Sequence, residues 1–200
     1  RHWSYLKAVV RHKWFVFWAC LQMEVPLWAA VLHDWDKFLP DEWLPYARTF
    51  YKPNGESQYV ESIDFARAWM KHQHRNKHHW QYWLGITIVD HNFGMMLREG
   101  DFLVWDRGNA QEIVKRNSGT SEWYEFRDVP AYYPIDAEPM PDRHRREMIA
   151  DWIGAGRAYN KNWTSLEPRE WYEKNKDKIR LHPETRHWVE AALAEFGRRQ

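Results

Sequence analysis

Over most of this chain apolar residues return every three or four positions, a spacing that commits the backbone to helices. Trp3, Leu6, Val10, Trp14, Phe17 and Leu21 recur in this way, and Tyr5, Val9, His12 and Val16 form a second stripe. A first helix over 3–21, buried on two sides, is therefore expected. Pro26 suits the first turn of a helix over 27–35, which would carry His33 and Asp34 at its C-terminal end. Pro40 opens a helix over 41–50, and Pro53-Asn54-Gly55 marks a turn. Further helices are expected over 57–76, 78–84, 142–159, 167–176 and 183–196. Gly154 and Gly156 would permit close packing or an early helix end. Between Gly85 and Asp136 the texture becomes β-branched and aromatic, and Ile86-Thr87-Ile88-Val89 and Phe102-Leu103-Val104-Trp105 read as strands. The expected architecture is mainly α, one domain over 1–200, with a small β-containing insertion or lid at 85–136.

Two hundred residues can bury a substantial core. The net charge of +1 gives no strong field toward nucleic acid or a membrane. Fifteen Trp, ten Tyr and nine Phe make the core and any interface aromatic. The lone Cys20 cannot form an internal disulfide, which fits a reducing cytoplasm. The longest apolar run, Trp14 to Leu21, is too short to span a bilayer, and no secretory pattern appears. We therefore expect a cytoplasmic chain without a membrane partner; an oligomer is left open.

The chemistry concentrates in a few places. His33-Asp34 at a helix end can converge on one cation, which the negative pole of the helix also favours. Mixed imidazole and carboxylate donors suit Mn, Fe, Co, Ni or Zn, and Mg where oxygen and water dominate. The blander reading of the pair is a partly exposed helix terminus. Lys37 could hold a phosphate oxygen, or simply pair with Asp34 or Asp41. Asp36 could act as a base or an acceptor behind a ligand, against an ordinary surface role. His12 sits in an almost wholly apolar helix, as a ligand or as a hydrogen-bonded core residue. His72, His74, His78 and His79 cluster with Arg75 and Lys77; His74 and His78 have the better helical spacing for a shared ion. The rival reading of this segment is a basic RNA-binding patch interleaved with Trp69, Trp80 and Trp83. Asp151 shares a near face with His144, Glu147 and Met148, among apolar neighbours, where an unpaired carboxylate would cost several kcal/mol. A metal would offset that cost; a salt bridge to Arg145 or Arg157 is the alternative.

In order, His12, His33-Asp34 and Asp151 resemble the H…HD…D signature of HD-domain metal-dependent phosphohydrolases. The resemblance implies an all-helical HD-like bundle whose central pair ends the second helix. Lys37 resembles the lysine that often follows that pair, and His72, His78 and His79 resemble the extra histidines of two-metal members. The chain more closely resembles an uncharacterised phage and bacterial family known as a domain of unknown function. The residues are His33-Asp34-Trp35 with Lys37-Phe38, Ala68-Trp69 with His72, Arg75-Asn76 with His78-His79-Trp80, and Glu147-Met148 with Ala150-Asp151-Trp152. The tail Arg169-Glu170-Trp171-Tyr172 and Leu181-His182-Pro183-Glu184-Thr185-Arg186 also fits. This likeness covers nearly all of the chain outside 85–136.

The expected function is hydrolysis of a nucleotide or another small phosphate ester. One or two divalent ions would be held by His12, His33, Asp34 and Asp151, with His72, His78 and His79 completing a second ion or binding phosphate. Asp34, Lys37 and Asp36 are the candidate catalytic side chains. Two rivals are an HD-like di-iron oxygenase and a non-catalytic phage-encoded binding or inhibitor protein. The second would use the basic, Trp-rich segment on nucleic acid, with binding that is steeply salt-dependent.

Overall fold

The first helix, α1 (His2–Gln22), is buried along Tyr5, Val9, His12, Val16, Ala19 and Cys20. The stripe of larger residues faces outward instead: Trp3, Val10, Trp14 and Leu21 are exposed. The helix is thus covered on one side, not two. In this computed structural model its partner is α5 (Asp142–Tyr159), whose Gly154 lies directly against Val16. Close approach demands small side chains at the contact, and Val16, Ala19 and Gly154 supply them where tryptophan would not. Burial pushes the Cys20 thiol up to about 12, as befits an inert packed thiol.

The chain then runs through α2 (Leu27–Leu32), a 3-10 turn (Trp35–Phe38) and α3 (Pro40–Phe50), with Pro40 at its first position. The helix α4 (Ile63–Arg75) starts later than the periodicity implies. Val60 N–H donates to the Thr49 carbonyl and Gln58 N–H to that of Phe50, so this segment is tied to α3 in extended form. Ser62 is the true cap, its hydroxyl accepting from Phe65 N–H at 3.1 Å. A second 3-10 turn (Trp80–Trp83) replaces the helix expected over 78–84. After α5 come α6 (Glu167–Asn175) and α7 (Pro183–Arg198).

The structure describes residues 1–84, 137–160 and 163–198, together with the backbone of three strands. It is mainly helical. By compactness the chain divides into Arg1–Leu84 with Ala137–Gln200, and Gly85–Asp136. In the second unit β1 (Val104–Asp106), β2 (Asn109–Ser118) and β3 (Ser121–Asp128) pair antiparallel in the order β1-β2-β3, with Lys115 opposite Tyr124. The expected strand at Ile86–Val89 lies outside the described residues; of the other, Val104 and Trp105 fall in β1. Among the described residues no helix is long and apolar enough to cross a membrane.

Two apolar clusters make the helical unit. One joins Val16, Ala19 and Cys20 to Met148, Ile149 and Ile153 and to Tyr172, Val189 and Leu193. The other joins Tyr5 and Val9 to Tyr46, Ala47 and Ala68. His12 lies on α1 between Val9 of one and Val16 of the other, so the seam between the clusters is where polar groups collect.

Candidate metal centre

The adjacent pair is delivered by a break in the helix. α2 stops at Leu32, shorter than the periodicity implies; His33 caps it and Asp34 adopts a left-handed backbone, φ 52° and ψ 33°. A non-glycine residue there is uncommon and carries a conformational cost. The turn redirects the chain so that both side chains point inward, which consecutive helical positions would not do. Lys13 holds the helix end from outside, its Nζ bonding to the carbonyls of Val31 (3.4 Å) and His33. Burial lowers its pKa, against the pull of Asp34.

Four elements then converge on Asp34. His12 of α1 places Nε2 3.2 Å from Asp34 Oδ2 and 3.2 Å from Asp151 Oδ1 of α5. His33 Nε2 lies 3.4 Å from the same two oxygens. On the other side, His72 Nε2 of α4 is 3.4 Å and His78 Nε2 3.3 Å from Asp34 Oδ1. The result is two donor sets sharing one carboxylate: His12, His33, Asp34 and Asp151, and His72, His78, His79 and Asp34. Within each, every donor atom is within 4.8 Å of the others.

Six of these donor atoms are also orphaned in the interior. His33 Nε2, Asp34 Oδ1, His72 Nε2, His78 Nε2, His79 Nε2 and Asp151 Oδ1 are buried without a hydrogen-bond partner. Buried polar atoms seldom stay unsatisfied, and six orphans facing two shared points fit divalent cations. On three of the histidines the opposite nitrogen faces a carboxylate. His33 Nδ1 and His78 Nδ1 lie 3.1 and 3.5 Å from Glu147 Oε1. His72 Nδ1 lies 3.0 Å from Glu42 Oε2 and 3.2 Å from Asp36 Oδ2. An ionised carboxylate only accepts, so Nδ1 carries a hydrogen and Nε2, once it loses its own proton, offers its lone pair inward.

The charges follow. Burial alone would raise Asp34, but His33, Lys37 and His72 outweigh it and hold the carboxyl well below its usual range. Asp151 is likewise held down against burial by His12 and His33, and Glu147 by His33 and His78. Burial works against charge on His72, yet Asp34, Asp36 and Glu42 bring it up to about 9. His79 is pushed well below the ordinary range by burial and by its neighbours His78 and His72.

The sequence-derived candidates sort clearly. His12, His33, Asp34, His72, His78, His79 and Asp151 all come together. His74, with the better helical spacing to His78, is exposed, because α4 ends at Arg75 and the chain turns before His78. Asp36 is neither surface nor facing the donors: it is buried behind His72 and bonded to Asn76 Nδ2 at 2.6 Å. Its carboxylate backs His72 Nδ1 at 3.2 Å rather than joining the gathered donor atoms. Lys37 bonds to Asp34, while Asp41 takes Arg75 at 2.6 Å. Asp151 pairs with histidines and not with Arg145, which goes to Asp142 at 3.1 Å. Sequence reasoning named Glu147 without giving it a role, and passed over Glu42. Glu147 had a signal, standing one helical turn before Asp151 on the same face. Glu42, locked by Arg75 at 3.0 Å, had none.

Comparison with known proteins gives one match. A family model described as a family of unknown function (DUF5662) matches residues 1–195, in keeping with the resemblance to an uncharacterised family. It carries no link to HD-domain phosphohydrolases. No curated protein and no solved structure matches the chain.

Proposed function

We propose, for a chain that belongs to the family of unknown function DUF5662, that this centre holds two divalent ions and hydrolyses a nucleotide or another small phosphate ester. The observation that carries the reading is Asp34, which offers one carboxylate oxygen to each histidine set. Ions there would lower the pKa of a water and polarise a phosphoryl oxygen. The resemblance of His12, His33-Asp34 and Asp151 to the HD-domain signature supports the same chemistry.

The chain's own side chains define the approach. His12, His33, Asp34, His72 and His78 are all at most 4% exposed, whereas Lys37 and Asp151 each keep 15%. Substrate therefore meets the site along the Lys37–Asp151 edge. Burial disfavours the Lys37 ammonium, but Asp34 and Asp151 raise its pKa and keep it charged. It can bond a phosphoryl oxygen and offset charge that grows during transfer. Tyr159, exposed and stacked on His12 at 6.1 Å, forms one wall of that edge.

The donor set favours a second reading. Five imidazoles against two carboxylates suit iron, and an oxygen-using di-iron enzyme would draw on the same residues. Elemental analysis of the purified chain, followed by phosphate release from nucleoside mono- and triphosphates with Mn, tests the first reading. No ion above trace, or ions bound without turnover of any phosphate ester, would sink it. Stoichiometric iron with an optical band on oxidation would support the second.

A further inference from the structure

We propose that Glu147 is the positioning residue that couples the two ion positions, so that they fill together; this rests on the two-ion reading above. One oxygen, Glu147 Oε1, lies 3.1 Å from His33 Nδ1 and 3.5 Å from His78 Nδ1. His33 belongs to one donor set and His78 to the other. A single acceptor therefore hydrogen-bonds one histidine of one set and lies within ion-pair reach of one histidine of the other. The two rings are also in contact, with centroids 4.3 Å apart and planes tilted by 37°. Ordering of His33 would settle Glu147, and through it His78. The position on the other side is then prepared before its own ion arrives.

The other supports lack this reach. Asp36 and Glu42 both accept from His72 Nδ1 and Asn76 Nδ2 donates to Asp36, so they serve one set alone. Asp34 also touches both sets, but as a donor to the ions themselves. Glu147 belongs to neither of these two sets and meets them through a histidine on each side, where its carboxylate gathers with His33 and His78. Its burial between them, 7% exposed, leaves no room for it to swing away.

The test is titration of the metal-free protein with MnCl2, read by calorimetry and by the electron paramagnetic resonance of Mn. Wild type should take up two ions, the second no more weakly than the first, and show a spin-coupled signal from the first additions. Glu147→Gln should weaken both ions on the order of 10- to 100-fold and separate the two binding steps. Glu42→Gln should weaken one ion only and leave the other unchanged. The melting temperature without metal checks that each variant folds; should Glu147→Gln fail to fold, Glu147→Asp, which keeps the charge but shortens the reach, should give the same loss. A Glu147 variant that loads both ions as wild type does, or loses only one, overturns the coupling while leaving the two-ion centre standing. Wild type that binds no Mn overturns both.

Discussion

Gly154 and Val16 are in contact so close that a Cβ on Gly154 would fall 2.4 Å from Val16 Cγ2 and 2.6 Å from its backbone nitrogen and Cα. One turn from this contact, His12 and Asp151 face each other across the same pair of helices, at 3.2 Å. The helix spacing that glycine permits is thus the spacing that closes the donor set.

Gly154→Ala should therefore act on stability and on the site together. Overpacking against backbone is expected to cost about 1–3 kcal/mol, measurable as a lower urea midpoint. The same shift widens the His12–Asp151 gap, so Mn affinity should fall as well. A variant with unchanged midpoint and affinity would refute this account of the α1–α5 seam.

Asp34→Asn separates charge from backbone. Asparagine tolerates the left-handed conformation that residue 34 adopts, so the turn should persist while both donor sets lose their shared carboxylate. In wild type, Mn at about 100 times its dissociation constant should add about 2.7 kcal/mol of stability. In Asp34→Asn that gain should vanish, as judged by melting with and without Mn. A full gain in the variant would exclude Asp34 as a ligand.

Protons and ions should compete. In the ion-free chain burial works against the charged forms of His33 and His72, but Asp34 and the neighbouring carboxylates prevail; His72 sits at about 9 and His33 well above its ordinary value. Raised values mean that the folded chain binds more protons than the unfolded one above ~6.5. Their contribution to stability is then complete below ~6.5 and lost as pH climbs through about 9. Coordination through Nε2 requires those protons to leave, so loading at pH 7 should release about two and affinity should rise with pH. Calorimetry in buffers of different ionisation enthalpy would count them. Binding with no proton release would contradict the assignment of His33 and His72 as ligands.

Lys37→Met should spare the ions and harm the substrate. Lys37 bonds to Asp34 but belongs to neither donor set. Mn stoichiometry should hold, whereas inorganic phosphate should bind on the order of ten-fold more weakly, as for a lost charge-assisted bond. Unaltered phosphate affinity would remove Lys37 from the substrate edge.

Much of this cluster was legible in the linear chain because its residues are of telling types in telling company. His33-Asp34 before Lys37, the histidines after Trp69, and Asp151 among apolar neighbours each carry a chemical oddity that survives without coordinates. Asp36 misled because an acidic residue beside a helix end usually faces water, and only His72 and Asn76 folding over it change that. His74 misled because its spacing assumed a helix that Arg75 in fact ends. The tryptophan stripe of α1 misled because periodicity identifies a face but not which of two apolar faces is covered.

The sequence by itself determined where helices can run and which residue types could meet a cation, since both depend on neighbours a few positions apart. Only the tertiary structure decided which ring nitrogen of each histidine looks inward, and that Asp34 and Glu147 each serve two sets. Those facts rest on bonds between residues as far apart as His33 and Glu147, 114 positions along the chain. The packing of α5 on α1, through Gly154 and Val16, is what brings such partners within reach.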